Sequence, residues 1–231
     1  MTITFITGAN KGLGYETARR LVQLGQTVII GARDLERGQA AADQLGARFV
    51  AINVANDESV ARAAADIQAH EGHLDVLINN AGIVGSALPA EQLSGPEATE
   101  IFDTNVIGIV RVIHAFLPLL KLSENPAVIN VSSGMGSFAL THDPERVESK
   151  PIAPLYTASK AAVTMLTTQY ARALPGIRVN AVDPGYTATD FNGNSGYQTV
   201  TEGTDAVVTL ATESRGAGTG RFVSRGGPVA W

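Results

Sequence analysis

A chain of 231 residues, 45% hydrophobic and 17% charged, suits one α/β domain with a sizeable core and gives no sign of disorder or fibre. Its formal net charge of -5 argues against a nucleic-acid partner, and the lack of cysteine excludes disulfides, thiolate catalysis and cysteine-held metals. The apolar run VIGIVRVIHAFLPLL is broken by Arg111, His114 and Pro118, and the start MTITFIT has no basic leader, so the expectation is a soluble cytoplasmic protein with no membrane partner.

Short β-branched runs alternate with helical patterns along the chain. Thr2–Thr7 reads as a strand leading into a helix over Leu13–Leu24, and Thr27–Ala32 leads into a helix over Leu35–Leu45. Arg48–Val54 leads into a helix over Glu58–His70, and Leu74–Asn79 is followed by a long helix from Glu97 to Leu120. Ala127–Ser133, a helix over Tyr156–Leu174, Ile177–Val182 and a late strand over Gly220–Ser224 complete the pattern. The strands are near-continuous apolar runs, as sheets covered on both faces require. They predict a single-domain α/β fold over residues 1–231, a Rossmann-type doubly wound, mostly parallel sheet of seven strands with helices on both faces. Two stretches fall outside the alternation: 137–154, with three prolines, reads as an insertion, and 190–200, rich in Asn and Gly, reads as a lid loop.

The first strand runs into TGANKGLG, with Gly8, Asn10, Lys11, Gly12, Leu13 and Gly14 at the start of the first helix. Glycines there let the backbone turn tightly and approach a pyrophosphate, which the helix N-terminus favours. The second strand ends in GARD, with Arg33 beside the position where a carboxylate would select NAD, whereas an arginine suits the 2′-phosphate of NADP. Lys11 and Arg33 together predict a two-cation clamp on that phosphate, and Asp34 fits a helix N-cap.

Further along, NNAG ends the fourth strand, DTNV carries Asn105, NVSSG carries Ser132 and Ser133, and YTASK sets Tyr156 and Lys160 one helical turn apart. A carbonyl reduction needs a proton for the developing alkoxide, and an ammonium near a tyrosine favours the phenolate and lowers its pKa. Tyr156 is therefore the expected proton donor and Lys160 the group that tunes it. No pair among His70, His73, His114 and His142 has metal-ligand spacing, and no metal site is expected.

These motifs, in this order, resemble the short-chain dehydrogenase/reductase family along essentially the whole chain, with NADP-dependent carbonyl reductases the nearest branch. The resemblance implies an NADP(H)-dependent oxidoreductase acting on a small-molecule carbonyl or alcohol. It implies that Ser133 polarises the substrate oxygen, that Lys160 also binds the nicotinamide ribose, and that Asn105 holds a water linking the lysine to solvent. It carries cofactor contacts over to Asn53, Val54, Asn79, Ala81, Gly82, Pro184, Gly185, Thr187 and Thr189. Asn53 stands where the family carries an acid that meets the adenine amine, and its side-chain oxygen is expected to accept that bond more weakly. Dimer, tetramer and monomer all stay open, because the 137–154 insertion resembles that of monomeric relatives. Two other readings remain. One is an idle NADP-binding sensor, which has no need of Tyr156, Lys160, Ser133 and Asn105 together; the other is an epimerase or dehydratase, which carries a larger C-terminal region.

Overall fold

In a computed structural model describing residues 1–86 and 88–231, the sheet runs in the order β3-β2-β1-β4-β5-β6-β7-β8. The strands are β1 Ile3–Thr7, β2 Thr27–Ala32, β3 Arg48–Ala51, β4 Val76–Asn79, β5 Ala127–Val131, β6 Arg178–Val182, β7 Phe222–Ser224 and β8 Gly227–Pro228. The first seven are parallel, as expected, and β8 adds an antiparallel edge of two residues that the sequence pattern does not reveal. The helices are α1 Gly12–Gln23, α2 Leu35–Leu45, α3 Asp57–Glu71, α4 Gly95–Phe102, α5 Gly108–Leu120, α6 Phe138–His142, α7 Pro154–Ala173, α8 Val200–Gly203 and α9 Asp205–Thr212.

Successive strand residues point to opposite faces, and here both faces are apolar. Phe5, Ile29, Leu77, Val128 and Val179 pack with Ile67 of α3, Phe116 of α5 and Val163 of α7, and Phe5 stacks on Phe116 at 4.9 Å between ring centroids. Ile6, Val28, Ile30, Ile78 and Ile129 face the other way, onto Leu21 of α1, Ala42 of α2 and Leu210 of α9. Each large side chain buried this way contributes roughly 1.5–3 kcal/mol, and that burial fixes the register. Side-chain caps start α2 and α3: Asp34 accepts the Arg37 amide at 3.0 Å, and Asn56 accepts that of Ser59 at 2.8 Å.

Three expectations need correction. The third strand stops at Ala51, because from Asn53 the backbone folds into a side-chain turn. The long fifth helical segment is interrupted by a π turn, Asp103–Ile107, between α4 and α5. Taken through the π turn, the helical span Gly95–Leu120 also reaches the length and mean hydropathy, 1.4 over its most apolar stretch, of a membrane-crossing helix despite Arg111, His114 and Pro118. Its apolar side chains Ile109, Val112, Ile113, Phe116 and Leu120 are spent on the core. Segment 137–154 holds α6 and a short 3-10 turn, and residue Trp231 pins it through its carbonyl, which accepts the Ala139 amide at 3.3 Å.

Candidate active site

Strands β2 and β4 flank β1 on opposite sides, so the loops leaving β1 and β4 part there and open a cleft at the strand C-termini. The cleft encloses about 830 Å³ and runs from the ends of β2 and β3, past the start of α1, to α7 and the loop after β6. Gly8, Asn10, Lys11, Gly12, Leu13, Gly14, Arg33, Asn53, Val54, Ala81, Gly82, Ser133, Tyr156, Lys160, Pro184, Gly185, Thr187 and Thr189 all line it. Asn79 and Asn105 do not.

The glycine loop is shaped by close approach. Gly8 has φ +66°, and a Cβ there would lie 2.9 Å from the Ala81 backbone. A Cβ on Gly14 would meet Asn80 Nδ2 at 2.5 Å and the Gly8 carbonyl at 2.7 Å. This tight packing makes a cradle in the cleft floored by the first turn of α1, whose free amides suit an anion. Asn80, which sequence reasoning passed over, ties that cradle to β1 by donating to the Thr7 and Gly8 carbonyls at 2.9 and 3.0 Å. Its neighbour Asn79 is buried instead, donating to Asn130 Oδ1 at 2.8 Å, so it supports the sheet and does not reach the cleft.

At the β2 end Arg33 is exposed, and Arg37 stands one turn further along α2 on the same cleft wall. Lys11 and Arg33 share the cleft, but Lys11 Nζ is 3.4 Å from Asp190 of the 190–200 loop. Arg37, a third cation at this end, was missed because its i,i+4 spacing from Arg33 reads as ordinary surface charge; it lies 3.5 Å from Asp34. Asn53 Oδ1, expected to face the adenine amine, accepts the Ala55 amide at 3.1 Å.

At the other end the π turn brings Asn105 into the interior. Its Oδ1 accepts the Ile83 amide at 2.8 Å, and its Nδ2 donates to the Ile83 carbonyl at 2.8 Å and to Ser159 Oγ at 3.0 Å. Asn105 therefore clasps the 81–83 loop to α7. Lys160, buried, donates to the Val131 carbonyl at 2.8 Å, and its Nζ lies 5.7 Å from the centre of the Tyr156 ring. Both Ser132 and Ser133 line the cleft, but Ser132 Oγ donates to the Lys160 carbonyl at 3.1 Å and so supports α7, while the Ser133 hydroxyl lies beside the Tyr156 phenol.

Burial pushes the Tyr156 phenol up to about 12; the Ser133 hydroxyl beside it pulls the other way, and the Asp183 carboxylate pushes it further up. Burial pushes the Lys160 ammonium down to about 8. The spacing of Tyr156 and Lys160 predicts a phenol lowered by its lysine, whereas in the structure burial raises it. Losing water penalises the phenolate, and the lysine's hydrogen bond goes to Val131. Tyr156 thus keeps its phenolic proton at neutral pH. Phe191 of the 190–200 loop leans over it, with ring centroids 6.0 Å apart, and Val84, Met135, Pro151, Ala153 and Tyr186 make an apolar wall around it. None of the four histidines lines the cleft.

The short chain dehydrogenase family model matches residues 2–199. A short-chain dehydrogenase of Penicillium roqueforti, anuI, is 35% identical, covering 91% of this chain and 88% of its own. A (+)-neomenthol dehydrogenase of Arabidopsis thaliana is 32% identical over 89% of this chain and 90% of its own. Among solved structures, the NADPH-bound carbonyl reductase from chicken fatty liver covers all of both chains at 29% identity and a TM-score of 0.88. The doubly wound sheet, the glycine cradle and these likenesses agree: the chain belongs to the short-chain dehydrogenase/reductase family of oxidoreductases.

Proposed function

We propose that this chain is an NADPH-dependent reductase of ketones or aldehydes, with Tyr156 as proton donor, Lys160 and Asn105 supporting it and Ser133 orienting the substrate oxygen. The observation that carries the reading is one cleft with cations and a glycine cradle at one end and Tyr156, Ser133 and Lys160 at the other. The cradle fits a dinucleotide, since Gly8 and Gly14 let the loop pack tightly against Ala81 and Asn80 and leave the start of α1 lining the cleft, where its free amides suit a pyrophosphate. Lys11, Arg33 and Arg37 suit a 2′-phosphate, and among relatives the chicken carbonyl reductase holds NADPH.

A nicotinamide dinucleotide held by the cradle residues would supply the hydride. The protein does the rest. Ser133 donates a hydrogen bond to the carbonyl oxygen and holds it near the phenol. The Tyr156 proton passes to that oxygen as it gains charge, and the raised pKa keeps this proton in place until then. Lys160, a cation below about pH 8, stabilises the phenolate left behind. Phe191 and the apolar wall would shield the reacting atoms from water once cofactor and substrate fill the cleft.

The test follows loss of NADPH absorbance with a panel of ketones, aldehydes and quinones. Turnover is expected, and Tyr156→Phe should lower kcat at least about a hundredfold while NADPH still binds. Tight NADPH binding without any turnover would instead favour a cofactor sensor. Unchanged kcat in Tyr156→Phe would remove the phenol from the mechanism.

A further inference from the structure

The β2–β3 end of the cleft closes on Ile52, Asn53, Val54 and Ala55. With a pyrophosphate at the start of α1 and a phosphate-bearing ribose at Arg33, the base has this corner left to fill. An acidic residue at position 53 would bring two acceptor oxygens, one for a local turn and one for a ligand. Asn53 has a single oxygen. That atom, Oδ1, accepts the Ala55 amide at 3.1 Å, the turn an asparagine makes with the backbone two residues on. The surrounding backbone is held as well: the Asn53 amide donates to Ser59 Oγ at 2.9 Å, and the Asn53 carbonyl accepts the Asn56 amide at 3.0 Å. Flipping the side chain would set Nδ2 against the Ala55 amide, donor against donor, so the turn fixes which way the amide faces. Nδ2 is then carried to the other side of Cγ, and among the described residues it has no protein acceptor.

We propose that Asn53 turns a hydrogen-bond donor, and no acceptor, towards the base, so that this chain does not select the 6-amino group of adenine and takes hypoxanthine dinucleotides about as readily. The proposal rests on the dinucleotide-binding reading above. Adenine offers a donor at its 6-amino group and an acceptor at N1; hypoxanthine offers the reverse, an acceptor at O6 and a donor at N1. The second group in this corner is the Val54 amide, a donor that among the described residues has no protein acceptor. Val54 suits N1 of adenine, and Asn53 Nδ2 suits O6 of hypoxanthine. Each base meets one matched and one mismatched contact. An aspartate at position 53 would match both contacts for adenine and neither for hypoxanthine, because its second oxygen is free for the amine.

The experiment titrates the protein with NADPH, NADH and the reduced hypoxanthine analogue of NADPH, reading the dihydronicotinamide fluorescence that all three share. The expected dissociation constants of NADPH and the hypoxanthine analogue lie within about threefold of each other. Asn53→Asp should move that ratio by about tenfold or more in favour of adenine. The new charge beside the 2′-phosphate weakens both ligands alike, so the ratio is the readout. A preference for adenine beyond about threefold in the unaltered chain overturns the proposal, as does an unmoved ratio in Asn53→Asp. If the variant fails to fold, the ratio in the unaltered chain decides. Binding by none of the three ligands would sink the dinucleotide reading itself, whereas NADPH binding with strong base preference sinks the proposal alone.

Discussion

Lys160 keeps an ammonium in the interior at 5% exposure, with one hydrogen bond to a carbonyl. Its folded pKa of about 8 lies below the ordinary 10.5, so folding disfavours the charged form. Below pH 8 both folded and unfolded chains carry the proton, and the destabilisation is full and constant. Between about 8 and 10.5 only the unfolded chain keeps it, so stability rises with pH. Tyr156 acts oppositely: its folded value near 12, against 10 unfolded, gives stability that holds below pH 10 and is lost as pH climbs through 12. Lys160→Met should therefore raise stability most at pH 7, by as much as about 3 kcal/mol less whatever the unpaired Val131 carbonyl costs, with the gain in Tm fading towards pH 10.5. Thermal melts across pH 7–10.5 check it, and a gain that grew with pH would contradict the burial of the charge. The helical spacing of Tyr156 and Lys160 was legible in the sequence. The sign of the phenol's shift was not, because desolvation depends on walls contributed by distant segments.

Two elements shape the cleft in ways that periodicity does not report. The π turn Asp103–Ile107 adds a residue to a helix whose apolar pattern reads as uninterrupted, and that addition aims Asn105 at the Ile83 backbone. Asn105→Ala leaves the Ile83 amide and carbonyl unpaired, a loss of about 1–3 kcal/mol that should lower Tm by roughly 2–12 °C. It should also reduce kcat/KM, since Gly82 and Lys160 share that wall. A melt and activity equal to the parent's would show that the clasp is dispensable. The lid loop is the second element. Sequence reasoning marked 190–200 as a lid and Lys11 as a phosphate ligand, but not that Asp190 would bridge the two. The bridge is exposed and so weak, of order 0–1 kcal/mol, yet it draws Lys11 away from a phosphate and sets a carboxylate nearby. Asp190→Asn should tighten NADPH binding about two- to fivefold at low salt, and the effect should vanish near 0.5 M salt, where screening is strong. An equal gain for NADH, or one that salt leaves untouched, would assign Asp190 another role.

At the scale of the molecule, the strands are readable because alternate residues such as Phe5 and Ile6 enter two different cores, which makes β1 apolar throughout. β8 pairs Val223 with Pro228 and Ser224 with Gly227, and a two-residue edge has no pattern to read. The cleft joins the two halves of that sheet, since its walls come from β2 and β3 on one side and from β5, β6 and α7 on the other. A ligand spanning it bridges elements far apart in sequence, so binding should stabilise the whole cooperative unit and not one loop. At a hundred times its Kd, NADPH should add about 2.7 kcal/mol, roughly 5–11 °C in Tm for a domain of this size. Arg33 makes the shift specific. It is exposed, with no hydrogen-bond partner among the described residues, and so is available to a 2′-phosphate. Arg33→Asp should shrink the NADPH shift through repulsion, and enlarge the NADH shift because a carboxylate at this strand end accepts from the ribose hydroxyls. Paired melts of parent and variant with each cofactor measure both changes. If NADPH keeps its advantage in Arg33→Asp, the phosphate is held by Lys11 and Arg37 without Arg33, and the β2 end does not set the cofactor.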